Sequence, residues 1–161
     1  MGKFYEIVTE GLVLYCKQLG WFHSTPKPAS DLKKQEPVKK KTRGENIISK
    51  GGTPLMPKLG DESYILSYWF DIGMVGSGGM GATQLSAIEI SAWSTLSGVE
   101  LEAWEFVCIR KMSAAYLQYI NEGENPESQP PFGDPVNEFD RNVVEKKVTN
   151  AFKAFLQAKK R

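Results

Sequence analysis

Residues 92–117 read AWSTLSGVELEAWEFVCIRKMSAAYL, with Trp93 and Trp104 set either side of Gly98. Glycine reaches the left-handed conformation that closes many helices, so Gly98 at the end of an apolar run predicts a helix C-cap. The run before it begins at Ser86, with Glu89 three positions later, the spacing of a capping box. Leu85, Ile88, Ala92, Trp93 and Leu96 are read as one face of that helix. After Gly98, Leu101, Trp104, Cys108, Met112, Ala115 and Tyr119 keep near-heptad spacing until Asn121 and Gly123, which predicts a long second helix. The expected unit is a helical hairpin hinged at Gly98, with Trp93 and Trp104 stacked beside the turn.

Outward from this centre, Asp61 is a plausible N-cap for a shorter helix carrying Ile65, Tyr68, Trp69 and Ile72, with Gly73 as its stop, the alternative being a strand, since YILSYWF is rich in strand-forming residues. Phe4, Ile7, Val8, Leu12, Tyr15 and Leu19 predict an N-terminal helix over 1–22 despite Gly11, which costs roughly 1 kcal/mol relative to alanine. Residues 23–60 are rich in lysine and interrupted by Pro26, Pro28, Pro37, Pro54 and Pro57, so they are expected to be a disordered basic linker. Residues 61–123 form the central domain. A proline-rich loop follows from Glu124 to Pro135. From about Asn137, Val144, Val148, Phe152 and Leu156 at four-residue steps predict a C-terminal amphipathic helix ending in Lys159, Lys160 and Arg161. The fold class expected is mainly α: a small helical hairpin or bundle with these two flanking helices.

The 161 residues carry 20 Lys or Arg against 19 Asp or Glu, so overall charge gives no reason to expect nucleic acid as a partner. Cys16 and Cys108 with the single His23 cannot complete a tetrahedral zinc site from Cys and His, and no cofactor is expected. The N-terminal apolar stretch carries Glu6, Glu10 and Lys17 and lacks a cleavage pattern, so neither a membrane span nor a signal peptide is expected.

Three motifs suggest chemistry. GSGGMG at 76–81 is a literal G-x-G-x-x-G, the order of a dinucleotide-binding turn, but the required βαβ unit is not evident, and a flexible connection between helices is the simpler reading. LSGVELEAWEFVCIRK could mimic a DNA-binding helix-turn-helix using Arg110 and Lys111, although the first turns of its second helix carry Leu101, Trp104 and Phe106, which favour burial. The cluster Lys33, Lys34, Lys39, Lys40, Lys41 and Arg43 could touch phosphate, but a solvated linker explains it as well. His23 is read as a solvated residue. Neither a Ser-hydrolase elbow nor a paired-carboxylate site is present in the sequence, and no catalysis is expected.

The aromatic load points elsewhere. About sixty residues, from 61 to 121, hold Trp69, Trp93 and Trp104 with Tyr64, Tyr68, Phe70, Phe106, Tyr116 and Tyr119, and a domain of that size buries only about 60% of its unfolded surface. Phe106 and Tyr116 are expected to face away from the stripe through Cys108 and Met112. Surplus apolar surface of this kind suits self-association or the holding of another chain.

Glu89, Ala92, Trp93, Leu96, Ser97 and Gly98, then Leu101, Trp104 and Glu105, then Arg110, Met112, Ser113, Ala115 and Tyr116, follow a pattern E-x-x-AW-x-x-L-[ST]-G, L-x-x-WE, basic, M-[SD]-x-AY. Over about fifty residues (68–117) this resembles the T-type region of tail assembly chaperones of long-tailed phages and prophages. The resemblance implies a helical, non-catalytic factor that binds the tape measure protein and the major tail tube protein in the host cytoplasm. In many such phages the region is made as a frameshifted extension of a longer protein. The candidate partner-binding residues are Trp93, Trp104, Phe106, Arg110, Met112 and Tyr116.

Overall fold

The computed structural model describes residues 2–27 and 40–133. The first three lysines of the basic cluster and the expected C-terminal helix fall outside the described residues. The protein is mainly α, with a single two-stranded hairpin among the described residues.

Helix α1 (Lys3–His23) and helix α5 (Ala103–Glu122) form the principal pair. They run in the same direction, because Tyr5 stacks on Trp104 near their starts and His23 meets Tyr116 nearer their ends. Val8, Leu12 and Cys16, at four-residue steps, form the buried stripe of α1, facing Cys108, Ile109, Met112 and Tyr116 of α5. Gly20 permits the closest approach: a Cβ there would overlap the Tyr116 carbonyl oxygen. Phe4 and Ile7, expected on the buried stripe, are instead 70% and 61% exposed.

Helix α3 (Tyr64–Ile72) closes the core with Ile65, Leu66 and Trp69. The Trp69 ring lies edge-on to Tyr116 at 5.4 Å, and its indole N–H donates to the Met74 carbonyl at 2.8 Å, so its one polar atom is satisfied inside the core. Each such fully buried large apolar side chain contributes roughly 1.5–3 kcal/mol. Gly73 ends α3 in the left-handed conformation, as the sequence predicts, but Asp61 is not its cap. A 3-10 turn (Asp61–Ser63) precedes α3, and it is the Glu62 carboxylate that accepts from the Gly60 N–H at 3.1 Å.

The interval read as linker contains structure. Thr42 and Glu45 form a capping box that starts helix α2 (Arg43–Ser49), and Ile47 joins Trp21 and Phe22 in a second apolar cluster. Arg43 lies over the Trp21 ring, 4.5 Å from its centroid, and its Nε donates to the Gly123 carbonyl at 2.9 Å. The guanidinium thereby satisfies a backbone acceptor left open at the end of α5. Gln18, fully buried on α1, donates to the Leu55 carbonyl at 2.9 Å and accepts from the Phe132 N–H at 3.1 Å, holding two loops against the helix. Proline content marked these loops as irregular; it did not make them detached.

Candidate docking surface

Helix α4 (Ala87–Ser97) begins at the expected capping box, with Ser86 and Glu89 exchanging backbone hydrogen bonds, and ends at Gly98 with φ 72°. Accepting from Ser86 holds the Glu89 carboxyl below its usual pKa, consistent with a persistent cap. The two tryptophans either side of Gly98 do not meet. Trp93 stacks on Tyr68 of α3 at 5.3 Å and donates to Asp71 Oδ2 at 2.6 Å. Trp104 stacks on Tyr5 of α1 at 4.7 Å and donates to Glu102 Oε2 at 2.7 Å. The expected helical hairpin is therefore replaced by two separate pairings, α4 on α3 and α5 on α1.

This changes which face of α4 is buried. Ile90 is wholly buried and Trp93 half-buried, whereas Ile88 is 80% and Leu96 88% exposed. Ile88 and Ile90 differ by two positions, about 200° around a helix, so a helix one layer deep cannot bury both. The packed stripe is Ile90 and Trp93; Ile88, Ala92 and Leu96 form the opposite one. With Ala87, Ser91 and Thr95 they form an open, solvent-exposed face. That surface carries no charged side chain.

A short hairpin steers α4. Strands β1 (Gly76–Gly78) and β2 (Gly81–Thr83) pair antiparallel, Gly76 opposite Thr83, with Met80 fully exposed at the turn. Residues 76–81 are thus an ordered hairpin, neither a flexible connection nor the strand–turn–helix of a dinucleotide site. Directly after it, Gln84 Nε2 donates to the Arg110 carbonyl at 2.8 Å and the Leu85 N–H donates to the buried Ser113 hydroxyl at 2.9 Å. These bonds fix the entry of α4 to the middle of α5.

The six residues expected to bind a partner divide. Met112 is fully buried and Tyr116 is 6% exposed, so both are core residues closed to a partner in this arrangement; Tyr116 packs on Trp69 rather than facing away from the stripe. Phe106 and Trp104 are half-buried against the core, and Trp93 spends its ring on Tyr68. Arg110 is exposed and takes no part in this α4 face. Ile88 and Leu96, read from the sequence as sharing a face with Trp93, are presented to solvent while Trp93 is half-buried.

Burial pushes the thiols of Cys16 and Cys108 up, Cys108 to about 11, leaving both protonated at neutral pH. Tyr64 is raised by burial and by Glu105, whose carboxylate accepts its hydroxyl while also accepting the Glu102 N–H at 2.8 Å as a helix-start cap. Among the described residues no cluster of three or more His, Cys, Asp or Glu could hold a metal ion, and no helix is long and apolar enough to cross a membrane. Comparison with protein-family models, with curated proteins and with solved structures finds no match for the chain.

Proposed function

We propose that the protein is a non-catalytic tail assembly chaperone that holds the tape measure protein or the major tail tube protein until these polymerise. The single observation that carries this reading is the outward stripe Ile88–Ala92–Leu96, an uncharged apolar face on a helix whose other side is anchored by Trp93. Such a face suits reversible contact with an apolar segment of another chain, because burying each exposed aliphatic side chain is worth roughly 1.5–3 kcal/mol, no charge is desolvated, and the Thr95 hydroxyl on that face already donates to the Ser91 carbonyl. The resemblance of residues 68–117 to the T-type region supplies the kind of client. Release follows where contacts between tube subunits are tighter than contacts with the chaperone.

The reading differs from the one the sequence suggests in the location of the surface. Aliphatic residues of α4, rather than the aromatic rings of α5, make the contact. Co-expression with tape measure and tube proteins tests it: at least one co-purifies with the wild-type chain, and absence of both contradicts the proposal. A helix-turn-helix role is disfavoured by α5 itself, whose start is preceded by Glu100 and Glu102 and carries Glu105 in its first turn, and whose middle is committed to the core against α1.

A further inference from the structure

We infer that helix α2 is a lid latched by Arg43, one that opens by itself while α1, α3 and α5 stay folded and so presents Trp21 and Phe22 to solvent. Among the described residues, every hydrogen bond from residues 40–52 to the rest of the chain comes from Arg43. Its backbone N–H donates to the Ser24 carbonyl at 2.9 Å, its Nε to the Gly123 carbonyl at 2.9 Å and its Nη2 to the Asn125 carbonyl at 2.6 Å. Ile47 is the one buried residue of α2, at 7% exposure, while its neighbour Ile48 is 62% exposed. The helix therefore hangs on two residues.

A helix of seven residues does not persist in water without docking, so α2 loses its internal hydrogen bonds whenever Arg43 and Ile47 let go. Its flanks do not follow. Before it, the Lys27 N–H donates to the Glu124 carbonyl at 2.8 Å and the Lys27 ammonium pairs with the Glu124 carboxylate. After it, the Leu55 carbonyl accepts from the buried Gln18 at 2.9 Å. Gly51, with φ 82° and open space around it, and Gly52 beyond it give the downstream connection the backbone freedom of a hinge. The moving unit is thus bounded on both sides by attachments that do not involve it.

What α2 covers is apolar. A Cβ on Gly44 would lie 3.5 Å from the Phe22 Cβ, so the first turn of α2 rests directly on Phe22, and Ile47 packs into the cluster with Trp21 and Phe22. The Arg43 guanidinium completes the cover over the Trp21 ring. Arg43 is only half-buried, so water competes for its carbonyl partners each time the latch loosens. A lid held this way opens at a lower free energy than the core, as peripheral elements with few buried contacts do. The surface beneath shares no residue with the outer face of α4, and the device does not rest on the function proposed above.

Hydrogen exchange followed along a urea series below the unfolding transition tests the lid. Amides of residues 47–50 in the wild type are expected to exchange at least about a hundredfold faster than those of residues 108–116 in α5, and with little dependence on urea, as a local opening exposes little surface. Arg43→Gln, which removes the guanidinium fork, and Ile47→Ala, which removes the buried contact, are each expected to speed exchange of 47–50 by about tenfold or more, with 108–116 unchanged. Ile48→Ala, altered on the outer side of the same helix, is expected to stay within about threefold of wild type. Hydroxyl-radical labelling of Phe22 is expected to rise in R43Q, with that of the buried Trp69 unchanged. The inference is overturned if residues 47–50 exchange only together with α5 and with the same urea dependence, or if R43Q and I47A speed exchange in α5 in step with α2. It is overturned equally if R43Q leaves α2 exchange or Phe22 labelling at the wild-type level.

Discussion

The indole N–H of Trp93 donates to the Asp71 carboxylate at 2.6 Å, joining α4 to α3 at the same point where the Trp93 ring rests on Tyr68. The tryptophan that most attracts attention in the sequence is therefore the anchor that turns Ile88 and Leu96 outward. Trp93→Ala is expected to destabilise the fold by about 2 kcal/mol or more, since it removes a half-buried ring and leaves Tyr68 without its neighbour. Asp71→Asn, which keeps an acceptor for the indole, is expected to cost no more than about 1 kcal/mol. Urea unfolding of both variants measures the difference, and equal losses would contradict an anchoring role for the ring.

Gly20 sets the spacing of the central helix pair. A methyl group there overlaps the Tyr116 carbonyl oxygen, which is backbone and cannot rotate aside. Gly20→Ala is expected to destabilise by about 1–3 kcal/mol although alanine is the better helix former, because overpacking outweighs propensity. Gly11, on the same helix with open space around it, provides the control. Gly11→Ala is expected to stabilise by roughly 0.5–1 kcal/mol.

The single histidine gives stability a dependence on pH. Nδ1 of His23 lies 2.7 Å from the Tyr116 hydroxyl, and burial lowers its pKa below the ordinary 6.5. The charged form is thus disfavoured in the folded state. Stability from this term is complete above the unfolded value and is lost as pH falls from about 6.5 toward the lowered folded value. Carboxylates such as Glu89, held low by its cap, respond only in more acidic solution. Melting temperatures between pH 7.5 and 5.5 are expected to fall for the wild type and to change less for His23→Asn; parallel slopes would contradict the assignment.

Much of the fold was legible because it is specified locally. The capping box at Ser86 and Glu89, the left-handed stops at Gly73 and Gly98, and the stripe through Cys108 and Met112 each depend on neighbours within one or two helical turns. What was misread depends on distant partners. Helix α2 is short, and its single buried residue, Ile47, needs Trp21 and Phe22 from another part of the chain. The single face read for α4 is divided in the structure: Leu85 and Trp93 pack inward with Ile90, held by Ser113 and Tyr68 from elsewhere in the chain, while Ile88, Ala92 and Leu96 stay together on the exposed side. The sequence did contain one warning. Ile88 and Ile90 cannot share a face, so a helix with bulky aliphatics on both sides must leave one side for another partner.

Because Ile88 and Leu96 touch solvent and not the core, replacing both with glutamate is expected to change folding stability by no more than about 0.5 kcal/mol per site while removing the surface proposed to hold a client. Co-purification of tape measure and tube proteins with wild-type and Ile88→Glu/Leu96→Glu chains, expressed side by side and checked for equal melting temperature, measures this directly. The account predicts capture by the wild type and its loss, by tenfold or more, in the folded variant. Undiminished capture by the variant would contradict it.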